Sequence, residues 1–274
     1  MLIVGERINT SRKIKGEPVI EQAVVSRNED YIKDLARKQF EAGATYIDVN
    51  CGTLTSGEPE AQEWLTRVVM EAVDAPISFD TPNAAALERG LAAYDACKGQ
   101  PLVNSITAES ERYSKILPLV LNYKAKVIAL SMDDTGIQQD PGKRLTVACK
   151  LIDDLTAAGL AIGDIYVDPL TFPIGTGSDV AVSMLDIIEK IRAKYPEVHI
   201  IAGLSNVSHG MPARKLLNQA MTILAMSKGL DAGIVDPNDN YLMALIAATE
   251  ALLGRDDYCM NYISLSRAGK FDGI

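Results

Sequence analysis

The sequence has few residues of the types that build stacking surfaces, metal centres or disulfide scaffolds. Aromatic residues make up 5% of the 274 residues, and there are only two histidines and four cysteines. So few aromatic side chains disfavour a surface that stacks nucleic-acid bases. The cysteines are far apart and form no Cys-x-x-Cys pair, which argues against a disulfide scaffold or a zinc ribbon and fits a reducing cytoplasm. They are Cys51, Cys97, Cys149 and Cys259.

The chain also lacks an excess of positive charge and any long apolar segment. Lys and Arg number 27 against 36 Asp and Glu, so the net charge is −9 and a broad nucleic-acid surface is not expected. A negative net charge does not exclude a local anion site. No apolar run reaches the length of a membrane span, and the opening MLIVGERIN has no basic segment before its short apolar stretch. We therefore expect neither a membrane span nor a signal peptide.

Short apolar segments alternate with amphipathic stretches along the whole chain. The composition, 47% hydrophobic and 23% charged, is that of a globular protein. Hydrophobicity in the short segments is mostly continuous, which indicates strands buried on both faces of a parallel sheet. The predicted strands are 2–8, 45–49, 76–79, 101–105, 126–132, 165–167, 199–204 and 232–235.

The stretches between these strands predict helices with one apolar stripe each. Glycines at positions 43, 90, 159 and 254 are interpreted as helix stop signals. Eight strand–helix units of about 30 residues, without a linker, predict a single (β/α)8 barrel over residues 1–274. A doubly wound open sheet is the alternative, but it normally has fewer strands, and both glycine-rich nucleotide motifs are absent.

Asp and Asn residues stand at the ends of most predicted strands. In a closed barrel these side chains converge on one mouth. At any single position, helix capping or turn geometry explains such a residue at least as well. The carboxylates lie on different strands and no Cys or His set accompanies them, so no metal site is predicted. Carboxylate and amide groups pair well with the aminopyrimidine edge of a pterin or a guanine.

Seven motifs, in register along nearly the full chain, resemble the pterin-binding methyltransferases. The similarity is greatest to methyltetrahydrofolate:corrinoid protein methyltransferase, and the folate module of cobalamin-dependent methionine synthase is a related branch. The motifs are GERIN at 5–9, DVN at 48–50, SFDT at 78–81, VNS at 103–105, SMDDTG at 131–136, YVDPL at 166–170 and GLSNVS at 203–208.

This resemblance implies a pterin-binding (β/α)8 barrel, usually a homodimer, and a role for each motif. The methyl group would move between a ring nitrogen of methyltetrahydrofolate and the cobalt of a corrinoid (cobalamin) held by a separate protein. Asp80, Asn104 and Asp168 would bind the pterin ring, and Asn206 would lie beside the methyl-bearing nitrogen. Asn206 and Asp80 are the expected catalytic residues. The expected substrate-binding residues are Asp48, Asn50, Asp80, Asn104, Met132, Asp168, Gly203, Ser205, Asn206 and Arg214.

The corrinoid is expected on a partner protein because this chain lacks the Asp-x-His-x-x-Gly pattern that corrinoid-carrying domains resemble. Neither His199 nor His209 has the required neighbours. The segment 170–179, with one proline and two glycines, is either a docking or lid element or a plain connector. Arg12, Lys13 and Lys15 either meet the glutamate tail of a folate or, as is more common for such a loop, are solvated.

Two other functions stay open at this point. Dihydropteroate synthase shares the barrel and the pterin pocket, but its N-terminal pattern, similar to LNVTPDSFSDGG, is absent, as is its late Lys-x-x-Arg pattern near the seventh strand. A non-catalytic folate-binding barrel is the second alternative. The residues also leave open whether methyltetrahydrofolate is the donor or the product.

Overall fold

The strands pair in parallel to form a barrel, and the helices lie outside it. The structure is a computed structural model that describes all of residues 1–274. The sheet order is β8-β7-β5-β4-β3-β2-β1-β9, and the short β6 pairs antiparallel with β5. The strands are β1 Leu2–Asn9, β2 Tyr46–Asn50, β3 Ile77–Asp80, β4 Leu102–Ala108, β5 Lys126–Asp133, β6 Gly136–Ile137, β7 Ile165–Asp168, β8 His199–Ile200 and β9 Ala232–Val235.

Ten helices accompany the strands. Several begin at the side-chain cap that their sequence supplies: Asn28, Asn83, Asp140 and Asp239 each accept a hydrogen bond from a backbone N–H of the first turn. The helices are α1 Val19–Val25, α2 Glu29–Glu41, α3 Glu58–Ala72, α4 Ala84–Ala93, α5 Ser110–Asn122, α6 Pro141–Ala157, α7 Val180–Lys194, α8 Arg214–Lys228, α9 Asn240–Leu252 and α10 Met260–Arg267. None of these helices combines the length and hydropathy needed to cross a membrane.

The barrel closes between its last two strands through backbone hydrogen bonds just beyond β8. The N–H of Ile234 donates to the carbonyl of Ala202 at 3.0 Å, and the N–H of Asp231 donates to the carbonyl of Ile200 at 3.2 Å. Gly203 also forms a parallel bridge with Ile234. The predicted (β/α)8 barrel is therefore confirmed, with β6 as an additional hairpin strand.

The barrel interior is apolar at its base and polar at its mouth. A separate buried cluster fills the base, whereas a larger cluster of 50 buried residues lies mainly between sheet and helices. Side chains alternate along a strand, so residues two and four positions beyond a base residue also face inward. On β2 this rule takes the chain from Tyr46 at the base to Asp48 and Asn50 at the mouth. The base cluster is Val4, Tyr46, Leu102, Ile128, Tyr166, Ile201 and Ala232.

Two local predictions from the sequence are wrong. The predicted strand 199–204 ends early: β8 is His199–Ile200, and Leu204–Ser208 forms a 3-10 helix whose Leu204 is buried. Gly90 is not a stop signal, because α4 continues through it to Ala93. A Cβ atom at position 90 would lie 2.7 Å from Cε1 of Phe79, so glycine is required there by close packing between the helix and the sheet.

We expect Gly90→Ala to reduce the free energy of unfolding by about 1–2 kcal/mol. Alanine favours a helix by about 1 kcal/mol, but overpacking a buried contact costs about 1–3 kcal/mol. The Phe79 ring is fully buried. Urea denaturation followed by circular dichroism measures the change. Gly163→Ala is the matched control, since a Cβ atom added at Gly163 would meet nothing within 4 Å. Equal stability of the two variants would contradict this explanation.

Candidate functional site

Polar side chains from neighbouring strands meet at the mouth of the barrel. The inward-facing positions beyond the apolar base are occupied by Asp48 and Asn50 on β2, Asp80 on β3, Asn104 on β4 and Asp168 on β7. Asp48 is 1% exposed and Asp168 is 8% exposed. Five residues predicted from four sequence motifs therefore lie together at the mouth, above the apolar base.

Neutral donors, rather than cations, satisfy the carboxylates of β2 and β3. The hydroxyl of Ser78 donates to Oδ1 of Asp48 at 2.6 Å, and Nδ2 of Asn50 donates to Oδ2 of Asp80 at 2.7 Å. Asn104 pairs with Asp80 in the sheet register, and its side chain lies close enough to Asp48 to lower the pKa of that carboxyl. These contacts fix the orientation of the acids without neutralising their charge.

Burial makes the acids of the mouth weak acids. It raises the pKa of Asp48 well above its usual range, and the negative charge of Asp80 adds to that effect. Burial also raises the pKa of Asp80, although the hydrogen bond from Asn50 and the charge of Arg112 work against it. The pKa of Asp168 rises to about 7 through burial, opposed by backbone hydrogen bonds from Leu170 and Gly203. Part of this ring is therefore neutral near pH 7.

Asp168 is held by the loop that follows its own strand. The backbone N–H of Leu170 donates to Oδ1 of Asp168 at 2.8 Å, and Leu170 has a left-handed φ of 65°. The hydroxyl of Ser131 on β5 donates to the backbone carbonyl of Asp168 at 2.7 Å. The residues of the YVDPL motif thus position one carboxylate, and no positively charged side chain contacts it.

Glu6 and Arg112 belong to this region but were missed as site residues. Glu6 follows Val4 by two positions on β1 and so faces inward, where burial raises its pKa to about 7 in spite of Arg12. Strand alternation from Val4 could have predicted from the sequence that Glu6 faces the barrel interior. Arg112, on α5, donates from Nη2 to the carbonyl of Ser105 at 3.0 Å and lies close enough to influence Asp80. Because Arg112 lies on a helix, the search for polar residues at strand ends could not find it.

The 3-10 helix Leu204–Ser208 brings the GLSNVS motif to the rim of the mouth. A Cβ atom at Gly203 would lie 3.2 Å from Nδ2 of Asn206, so a larger residue would crowd that amide. Asn206 is exposed. Arg214 holds the helix in place, because its guanidinium donates to the carbonyl of Ser205 at 2.8 Å and to the hydroxyl of Ser208 at 3.0 Å.

The two acids near the end of β5, Asp133 and Asp134, do not join the acid ring. Met132 is half-buried and pairs with Ile137 in the β5–β6 hairpin. Asp133 accepts from the backbone N–H of Thr135 in the hairpin turn, and Asp134 accepts from the backbone N–H and the hydroxyl of Ser110 at the start of α5. These two acids therefore stabilise a turn and a helix start outside the acid ring.

The segment 170–179 packs as an ordered connector beside this hairpin. Arg144 of α6 lies with its guanidinium carbon 4.7 Å from the centre of the Phe172 ring and donates to the carbonyl of Gln138 at 3.1 Å. A short 3-10 helix, Ile174–Thr176, follows, and Gly175 lies close to Met211. The segment thus borders the mouth on the side of the Asn206 helix.

The arrangement suits a flat ligand that presents hydrogen-bond donors to carboxylates. Asp residues supply acceptors, and Asn residues supply both a donor and an acceptor. The structure contains no group of three or more His, Cys, Asp or Glu side chains suited to hold a metal ion. The chemistry available at the mouth is hydrogen bonding and proton exchange near neutral pH.

We expect the stability of the protein to fall as pH rises from about 4 to 7, in part because of Asp168. The pKa of Asp168 is 3.8 in the unfolded chain and about 7 in the folded protein. Between these values the folded protein therefore binds more protons than the unfolded chain. The stability lost is at most roughly 4 kcal/mol. Asp168→Asn should show a smaller fall in chemical denaturation across this pH range. The exposed Asp186→Asn serves as control; identical pH slopes in wild type and Asp168→Asn would contradict the assignment.

Comparison with known proteins identifies the family of this chain. The profile of the family described as pterin binding enzyme matches residues 8–236. The chain is 36% identical to a methylcorrinoid:tetrahydrofolate methyltransferase of Eubacterium limosum, over 100% of this chain and 99% of that protein. It is 29% identical to methionine synthase of Mycobacterium tuberculosis, over 86% of this chain but 20% of that protein.

Solved structures of dihydropteroate synthase share the fold. The enzyme of Thermus thermophilus has a TM-score of 0.67 at 17% identity, over 92% of this chain and 94% of that one. The enzyme of Xanthomonas albilineans in complex with 7,8-dihydropteroate has a TM-score of 0.66 at 16% identity, over 93% and 94%. At this identity the similarity establishes the architecture alone. The family match and the full-length relative show that the chain belongs to the pterin-binding enzymes.

Proposed function

We propose that this chain is a methyltransferase that moves a methyl group between a ring nitrogen of tetrahydrofolate and the cobalt of a corrinoid. The observation that carries the proposal is the 36% identity, over the full length of both chains, with a methylcorrinoid:tetrahydrofolate methyltransferase. The similarity to methionine synthase, another methyl-transferring enzyme, supports it. The acid–amide ring at the barrel mouth provides suitable groups for the pterin.

The pterin ring binds through its aminopyrimidine edge in this proposal. The exocyclic amino group and the ring N–H donate to Asp80 and Asp168, and the amide of Asn104 pairs with the remaining edge. Asp48 and Asn50 orient these groups, as the hydrogen bond of 2.7 Å between Asn50 and Asp80 illustrates. A ligand that donates to Asp168 favours its charged form, so binding lowers the raised pKa of that carboxyl.

Asn206 stabilises the nitrogen where the methyl group is exchanged. In the direction from methylcorrinoid to tetrahydrofolate, the carbon–cobalt bond breaks with its electron pair left on cobalt. The carbon–nitrogen bond forms, and the nitrogen loses its proton. In the reverse direction the tertiary amine must gain a proton or strong hydrogen bonding before the methyl group leaves. An amide donates a hydrogen bond but no proton, so Asn206 acts by electrostatic stabilisation.

The proton is exchanged through water with the carboxyl groups of the mouth. Asp168 and Glu6 both have a pKa of about 7 and are suited to take up or release a proton near neutral pH. The same groups serve both directions of transfer, since the forward and reverse reactions pass through one transition state.

The corrinoid is carried by a separate protein that docks over the mouth. Ser205 and Gly203 form the wall near the methyl group, and Met132, Arg214 and the segment 170–179 border the docking face. The E. limosum relative is named for a methylcorrinoid substrate, which supports a corrinoid protein as the partner. The family resemblance implies a homodimer, and the cysteine pattern fits a location in the cytoplasm; both complete the proposal.

Methyl transfer can be measured directly. The protein is mixed with methyltetrahydrofolate and free cob(I)alamin, and the absorbance change that accompanies methylcobalamin formation is followed. Transfer supports the proposal, whereas binding of folate without transfer would favour a non-catalytic folate-binding barrel. Release of pyrophosphate in the presence of p-aminobenzoate and the pterin pyrophosphate would instead identify a dihydropteroate synthase.

We expect Asn206→Ala to reduce the rate of the methyl-transfer step about a hundredfold. Loss of one preorganised donor at a developing charge typically costs roughly 3 kcal/mol. Single-turnover kinetics with cob(I)alamin isolate this step from binding. Asn122→Ala is the control, because Asn122 is exposed at the end of α5 far from the mouth. A loss of less than fivefold in Asn206→Ala would contradict the role of Asn206.

We expect Asp80→Asn to raise the dissociation constant of tetrahydrofolate about ten- to a hundredfold. Hydrogen bonds to a charged acceptor contribute about 1.5–3 kcal/mol, and the amide replaces an acceptor with a donor. Titration calorimetry provides the constant. Asp134→Asn is the matched control, a strand-end acid that contacts Ser110 outside the ring. An unchanged constant in Asp80→Asn would refute the assignment.

A further inference from the structure

A positive charge lies beside the acid ring, on the helix that follows β4. Arg112, in the first turn of α5, is half-buried and donates from both Nε and Nη2 to the backbone carbonyl of Ser105, at 3.3 and 3.0 Å. Ser105 directly follows Asn104, which faces the mouth two positions beyond Leu102 of the apolar base. The guanidinium therefore fixes the segment that presents Asn104 at the mouth.

The same guanidinium is close to Asp80. Asp80 pairs with Asn104 in the sheet, and the N–H of Thr81 donates to the carbonyl of Asn104 at 3.1 Å. The ends of β3 and β4 are thus joined next to the contact made by Arg112. Burial raises the pKa of Asp80, and the hydrogen bond from Asn50 and the charge of Arg112 lower it.

The acids next to Arg112 in the sequence have other partners. Glu109 accepts a hydrogen bond from the hydroxyl of Thr107 at 2.9 Å, and Glu111 forms an ion pair with Lys115 at 2.7 Å. Burial lowers the pKa of the Arg112 guanidinium, whereas the nearby acids raise it. Arg112 itself forms no ion pair, so no bound carboxylate cancels its charge.

Asp48 and Asp80 are neighbouring acids in different surroundings. The charged groups that act on the fully buried Asp48 are themselves acids, Asp80 and Glu6. Asp80 is also acted on by a cation, Arg112. Two neighbouring carboxylates do not both ionise readily, and the one nearer to a positive charge ionises first. The cation therefore favours a pair in which Asp80 carries the charge and Asp48 carries the proton.

We propose that Arg112 is a positioning residue for the pterin, acting through Asp80 and Asn104. The inference rests on the proposed function, because it takes the pterin to be bound in the acid ring. Arg112 keeps the charge of the Asp48–Asp80 pair on Asp80, the carboxylate that accepts from the aminopyrimidine edge. Through the carbonyl of Ser105 it also fixes the direction of Asn104. Without the cation Asp80 is partly protonated, and a protonated carboxyl has less capacity to accept N–H donors.

Two substitutions of Arg112 separate its charge from its hydrogen bond. Arg112→Lys keeps the charge and Arg112→Gln removes it, and both keep an N–H donor on a shorter side chain. The affinity for tetrahydrofolate is measured by titration calorimetry from neutral to alkaline pH. At neutral pH we expect Arg112→Gln to bind roughly tenfold more weakly than wild type, since a nearby opposite charge lowers the pKa of a carboxyl by about 1 or more.

The loss of affinity in Arg112→Gln should shrink as pH rises, because Asp80 then ionises without the cation. Arg112→Lys should recover most of the affinity. Calorimetry in buffers of different ionisation enthalpy counts the protons that binding releases. Arg112→Gln should release more protons than wild type near neutral pH, because the pterin must displace a proton from Asp80. A merely structural role of Arg112 would weaken binding without changing this proton count.

Lys115→Gln is the matched control, because this exposed lysine lies one turn further along α5 and lines the same cavity as Arg112. It should leave both the affinity and the proton count unchanged. An equal loss in Arg112→Lys and Arg112→Gln at every pH, or wild-type binding by Arg112→Gln, would overturn the inference but not the proposed function. Failure of the wild type to bind tetrahydrofolate would refute the proposed function itself.

Circular dichroism establishes that each variant is folded. If Arg112→Gln does not fold, Arg112→Lys is tested alone. Near-wild-type affinity in folded Arg112→Lys supports the inference, and loss of tetrahydrofolate binding in that variant overturns it.

Discussion

The site depends on one constraint: strand alternation inside a closed barrel forces acidic side chains into a space with little water and few cations. At every second position, the residues above the apolar base point inward. The resulting acids are satisfied by Ser78 and Asn50 at 2.6 and 2.7 Å rather than by charged partners. Their charge is therefore costly, and a ligand that supplies N–H donors relieves that cost.

The departure from regular strand structure after β8 has a structural consequence for the mouth. A full-length strand would have continued the ring and pointed its side chains alternately inward and outward. Instead, Gly203 makes the closing contact with Ile234 and the chain turns into a 3-10 helix. This turn brings Asn206 to the rim, and Arg214 fixes it from the next helix. One short segment thus both closes the barrel and positions the proposed catalytic amide.

Charge is distributed unevenly around the mouth. The interior holds carboxyl groups with raised pKa values, and a neighbouring cavity lined by Arg12, Lys13, Arg214 and Lys215 holds cations with weak partners. Dihydropteroate synthases share the architecture at 16–17% identity, which illustrates that the barrel alone does not determine the reaction.

The sequence by itself determined the barrel, the family and the inward-facing positions of the ring, because these follow from strand periodicity and from motifs that are local in the chain. It predicted Asp48, Asn50, Asp80, Asn104 and Asp168 as neighbours, and the structure brings them together. Only the tertiary structure decided that β8 is short, that Asp133 and Asp134 serve a turn and a helix start, and that Gly90 lies against Phe79. Only the structure also revealed the place of Glu6 and Arg112, and the raised pKa values. Burial and contacts between distant segments are set by how the ring closes, and no local pattern in the sequence encodes them.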